Sequence, residues 1–140
     1  MIQEFDVYLD KLETAKGNRR AALNNYNAMR AAYSDAFTPL FGPPTSERLK
    51  ILLDICKEHP ADNFALSSVF VCASLFCYNP DALYDGKIKI RLAKMIAQAL
   101  GVTHSSVYIA RKKVVMWLRI YPAFYNSVRR SFEEFQTKIS

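Results

Sequence analysis

Glycine is scarce, with only 4 in 140 residues. That argues against a turn-rich β fold, and the abundance of Ala, Leu, Lys and Arg favours helix. Three cysteines, Cys56, Cys72 and Cys77, make an odd set without a CxxC pair, so no disulfide framework is expected. On apolar helical faces they read as buried free thiols in a reducing compartment. Cys56 and His59 have a two-ligand spacing, but no second pair follows to complete a tetrahedral metal site. No metal or cofactor is therefore expected.

Other absences bear on function. The chain has no Gly-rich phosphate loop, no HExxH and no GxSxG, and His59 and His104 are its only histidines. Nothing assembles into an acid–histidine–nucleophile set, so neither an enzyme nor a small-molecule substrate is expected. The opening MIQEFDVYLDKLE is acidic and lacks the apolar core of an export signal. The longest uncharged run, Asn63 to Pro80, contains Ser67, Ser68 and Ser74. It falls short of the ~20 apolar residues that span a bilayer, so a buried core helix is the better reading and no membrane is expected. The expected location is the cytoplasm, or a virion if the gene is phage-borne.

What is present is a hydrophobic content of 51%, enough for a real core, and a net charge of +6 that is unevenly spread. Met1 to Gly86 carries 8 Lys/Arg against 11 Asp/Glu, a balance of −3, and Lys87 to Ser140 carries 11 against 2, a balance of +9. A cationic C-terminal part suits an anionic partner, nucleic acid first and an acidic protein surface second. Ordinary solvated helix faces are the plain alternative.

Apolar spacing predicts an all-α protein, a small multi-helix bundle. Ile2, Phe5, Leu9 and Leu12 mark a first helix that Gly17-Asn18 interrupts, and a second runs from Arg19 to Phe37. Residues 1–37 thus form a helical hairpin or arm. Residues 38–44, with Pro39, Pro43 and Pro44, form a linker that cannot continue a helix. The compact core is 45–140. Thr45 or Ser46 caps a helix from Glu47 to Glu58, with Leu49, Leu52, Leu53 and Cys56 on its apolar stripe. Asp62 or Asn63 caps the apolar helix that closes at Tyr78-Asn79-Pro80, and Asp81 to Gly86 turns into the basic part.

The segment Lys94–Lys113, KMIAQALGVTHSSVYIARKK, has the requirements of two crossing helices. Ala97 is the small residue at the crossing and Gly101 can make the turn. Ile96, Leu100, Val102, Val107 and Ala110 suit the buried positions, and neither helix contains proline. The pattern resembles the helix-turn-helix family over about 20 residues. The resemblance implies a second helix that enters the major groove of duplex DNA. It would offer Thr103, His104, Ser105, Ser106 and Tyr108 near its start, then Arg111, Lys112 and Lys113. Arg111 would be the residue able to read guanine bidentately. Lys87, Lys89, Arg91, Lys94 and Gln98 would hold the DNA backbone, while Arg119 lies too far along. With no Arg or Asn at the helix start, sequence reading would be modest. The same motif also serves as a packing unit in helical proteins, and His104 also fits a plain exposed helix start.

The second helix runs on through Val114, Val115, Met116, Trp117, Leu118 and Ile120, apolar nearly all round, which requires burial in the core or by a partner. Pro122 begins a last helix with Phe124, Val128, Phe132, Phe135 and Ile139 in a near-heptad seam. That seam packs within the chain or, with Trp117, forms an oligomer contact. The helix ending Tyr78-Asn79-Pro80-Asp-Ala-Leu, the basic turn Lys87-Ile-Lys-Ile-Arg-Leu and the tail Ile120-Tyr121-Pro-Ala-Phe124-Tyr125 together resemble small helical proteins of Bacteroidetes and their tailed, crAss-like phages. The expected function is a non-enzymatic, dimeric or otherwise homo-oligomeric DNA-binding protein. The alternative is a virion assembly protein, such as a head–tail connector component, partnered by phage structural proteins.

Overall fold

The computed structural model describes residues 5–21, 41–83 and 87–139, with the backbone alone for 16–21. Those residues form six α-helices and a 3₁₀ turn, without strands. They are α1 (Phe5–Ala21), α2 (Ser46–Glu58), α3 (Leu66–Tyr78), the 3₁₀ turn Pro80–Leu83, α4 (Ile90–Leu100), α5 (His104–Ile120) and α6 (Pro122–Ile139). None is long and apolar enough to cross a membrane. Residues 22–40, which hold most of the expected second helix and part of the proline-rich linker, lie outside the described residues.

The bundle is organised around α3, whose residues are all buried from Val69 to Tyr78. A helix this apolar has no solvent face, and α2, α4, α5 and α6 pack around it. It starts later than the sequence suggests. Asn63 takes a left-handed conformation (φ 69) in a turn where the Phe64 amide donates to the Ala61 carbonyl, and Ala65 precedes the helix without side-chain capping. Asn tolerates that conformation, so Asn63 serves the turn and not the cap.

α1 also differs from expectation, because it continues through Gly17-Asn18 to Ala21. A helical glycine costs about 1 kcal/mol against alanine, too little to end a helix anchored elsewhere. The anchors here are Phe5, Tyr8, Leu12 and Ala15, all buried, with the Tyr8 hydroxyl donating to the Phe76 carbonyl at 3.1 Å. α2 begins as the sequence implies. Thr45 Oγ1 accepts from the Arg48 amide at 3.1 Å, and Leu49, Leu52, Ile55 and Cys56 face inward, with Leu53 half-buried.

The seam on α6 is core. Phe124, Val128, Phe132 and Phe135 have no exposed surface, and only Ile139 at its end is half-buried. Phe132 stacks on Tyr8 at 5.5 Å between ring centroids and meets Phe5, Phe41 and Phe76 at wider angles. These four seam residues therefore hold one chain together instead of offering an oligomer contact. Trp117 is half-buried against Phe64 and Phe124.

All three thiols are free and buried. Burial pushes Cys56 up from 9.0 to about 12 and raises Cys72 and Cys77 further, because a thiolate there would lose its water. Protons leave the unfolded thiols near pH 9 while the folded ones keep them, so stability is fully present below pH 9 and falls above it. At pH 10 each thiol should remove about 1.4 kcal/mol. A melting temperature that declines steeply between pH 9 and 10.5, and less so after one thiol is replaced by alanine, is the expected result.

Candidate nucleic-acid interface

The basic segment begins ahead of α4 at Lys87, reaches an extended conformation at Lys89, and is anchored by Asn79. That buried side chain accepts the Lys89 amide on Oδ1 at 2.9 Å. Ile88 is buried, while Lys87 and Lys89 on either side of it are exposed. α4 then buries Leu92, Ala93, Ile96 and Ala97. Its exposed Arg91, Lys94 and Gln98 follow at i, i+3 and i+7, a single stripe on the outer side.

The turn after α4 follows from its glycine. Gly101 is left-handed (φ 71, ψ 33), so its amide donates to the Gln98 carbonyl and the Val102 amide to Ala97 at 3.0 Å. These two bonds close the helix end in a Schellman arrangement and satisfy carbonyls that would otherwise be orphaned. A Cβ at Gly101 would meet nothing within 4 Å, so the cost of Gly101→Ala is backbone strain alone. We expect a loss of about 1–2 kcal/mol by urea unfolding, and a smaller loss for Gly101→Asn.

Only three residues, Gly101 to Thr103, separate α4 from α5, and the two helices pack together. Ile96 and Val107 fill the contact as expected, and Leu100 and Ala110 are half-buried. Val102 was expected inside but is 45% exposed. The Schellman turn engages its backbone and leaves its side chain in solvent.

At the start of α5, Thr103 makes no capping bond to the backbone, because its Oγ1 lies 3.1 Å from the Ser106 hydroxyl. The Ser106 amide donates to the Thr103 carbonyl at 3.1 Å, and no side chain caps the helix, so its start keeps the partial positive charge that attracts anions. Thr103, His104, Ser105 and Ser106 are exposed. Tyr108 is half-buried and meets the edge of His104, with ring centroids 6.3 Å apart. Lys112 and Lys113 are exposed one turn further along.

Arg111 departs from the sequence reading. It is half-buried, and its Nε donates to the Ala82 carbonyl at 2.7 Å, tying α5 to the 3₁₀ turn. A guanidinium held in this way is structural and not a reader of guanine. Six exposed cations remain, Lys87, Lys89, Arg91, Lys94, Lys112 and Lys113, and none is in an ion pair among the described residues. The chain has no carboxylate from Gly86 to Phe132.

Burial of the apolar half of α5 is one-sided. Val107, Val114 and Leu118 are buried, while Ile109, Met116 and Ile120 are 59%, 52% and 57% exposed. Ile120 and Tyr121 border a groove of about 400 Å³ between α1, α5 and α6, together with Leu9, Val115, Leu118 and Tyr125. Ile109 escaped the sequence reading because an apolar residue in a helix is usually assigned to the core. The pairing of His59 Nε2 with Glu134 at 3.2 Å was equally hidden, since 75 residues separate the two. With Glu58 they place three potential ligand atoms within 4.8 Å of one another, at the end of α2 against α6.

Comparison with protein-family models, with curated proteins and with solved structures returned no match for this chain.

Proposed function

We propose that α4, the Gly101–Thr103 turn and α5 form a helix-turn-helix that binds duplex DNA, and that the protein acts by binding and not by catalysis. The observation that carries this reading is the hydroxyl-rich start of α5, without side-chain capping and flanked by six exposed cations that have no ion-pair partner among the described residues, in a stretch free of carboxylates. Thr103, His104, Ser105 and Ser106 would meet the groove, with Tyr108 positioned behind His104. Lys87, Lys89, Arg91 and Lys94 would hold phosphates from the approach segment and α4, and Lys112 and Lys113 from further along α5. Hydroxyls and lysines fix position more than they read bases, so modest sequence preference follows. Fluorescence anisotropy with a labelled short duplex tests the proposal. Saturable binding at micromolar protein and 50 mM salt is the expected result, and no binding there would sink it.

Assembly on a protein partner, as in a virion connector, is the second reading. Ile120 and Tyr121 favour it, because they are exposed and line the apolar groove, and Met116 adds a further exposed apolar side chain on α5. Any such contact would use this surface and not the buried Phe124–Phe135 seam. Light scattering that shows a monomer across a wide concentration range would remove self-assembly.

A further inference from the structure

Ile109 is the most exposed large hydrophobic residue on α5, and its immediate surroundings are polar. The residues three and four positions away on the same side of the helix are Ser105, Ser106, Lys112 and Lys113, all exposed. Buried Val107 fixes which side of α5 faces the core, and Ile109 lies about 200° around the helix from it. Its side chain therefore points outward in the middle of the face proposed to meet DNA. Met116, the next exposed apolar side chain of α5, is about 10 Å further along the axis.

A polyanionic duplex drawn by Lys112 and Lys113 presents one apolar group in its major groove, the 5-methyl of thymine. We infer that Ile109 packs against thymine methyl groups and gives the protein a preference for A·T-containing sites. This rests on the DNA-binding reading above. It supplies an apolar base contact of a kind that the hydroxyls of the serines and the ammonium groups of the lysines cannot make, and Arg111 is engaged with the Ala82 carbonyl.

Removing the methyl while keeping the hydrogen-bonding edge isolates the contact. The probes are two alternating duplexes of equal length, one of deoxyadenosine and thymidine, the other of deoxyadenosine and deoxyuridine. Dissociation constants are measured by anisotropy at 50 mM salt for the unaltered protein and for Ile109→Ala. The exposed site lets that variant fold, which a thermal melt checks. The unaltered protein should bind the thymidine duplex roughly three- to five-fold more tightly per buried methyl. Ile109→Ala should bind both duplexes equally, at the level of the unaltered protein on deoxyuridine. Equal affinities for the unaltered protein overturn the inference, as does a preference that survives in Ile109→Ala, which would trace to duplex shape. Absence of binding to either duplex overturns the DNA-binding reading itself, and the inference with it.

Discussion

Raising monovalent salt from 50 to 200 mM should weaken duplex binding by about a thousand-fold. The estimate comes from the six exposed cations of the Lys87–Lys113 region. Each phosphate they neutralise releases condensed counterions, so the logarithm of affinity falls against the logarithm of salt with a slope of about −5. Replacing Lys112 and Lys113 together by alanine should reduce that slope by about 2, with little change in melting temperature, because both side chains are exposed. Arg111→Ala should do the reverse. Its Nε serves the Ala82 carbonyl, so the variant should melt earlier while its salt slope stays that of the unaltered protein. A buried or half-buried bond of this charged kind is worth about 1.5–3 kcal/mol. The three proteins thus separate a contact residue from a structural one. A slope shallower than about −2 in the unaltered protein would mean that most of these cations never approach phosphate.

Local signals were the legible part of the sequence. Thr45 caps a helix because its hydroxyl reaches an amide three residues on, and Pro122 opens one because its missing donor costs nothing there. Gly101 announces a turn because the left-handed conformation is cheap for glycine. What could not be read depends on partners distant in the chain. A seam such as Phe124–Phe135 has one appearance in sequence whether its partner lies in the same chain or another, and only the rings of Phe5, Tyr8, Phe41 and Phe76 decide it. Arg111 looked free because its acceptor is a backbone carbonyl 29 residues away, and backbone acceptors leave no trace in composition. The apolar run of α5 calls for burial in the core or by a partner, and within the chain one stripe, Val114 and Leu118 with Val107 ahead of the run, is buried. Its other side stays outward, so the candidate site gained Ile109 and lost Arg111 relative to the sequence reading.

Phe132→Ala tests whether the seam is core, and its expected cost is about 3–5 kcal/mol. The ring has no exposed surface and touches four other rings from α1, α3 and the segment before α2. No single neighbour can collapse into the space it leaves, which places the cost toward the upper end. Domains of this size have about 5–15 kcal/mol in all, so the variant should be near its unfolding threshold at 37 °C. Phe132→Leu keeps most of the volume, loses the ring contacts, and should cost about 1–1.5 kcal/mol. Urea unfolding at two protein concentrations tenfold apart distinguishes the roles. A core residue shifts the midpoint by the same amount at both concentrations. A residue of an oligomer contact shifts it by concentration-dependent amounts, because dissociation then enters the equilibrium. A loss under 1 kcal/mol, or a loss that vanishes on dilution, would place Phe132 at an interface and reopen the seam as a site of assembly.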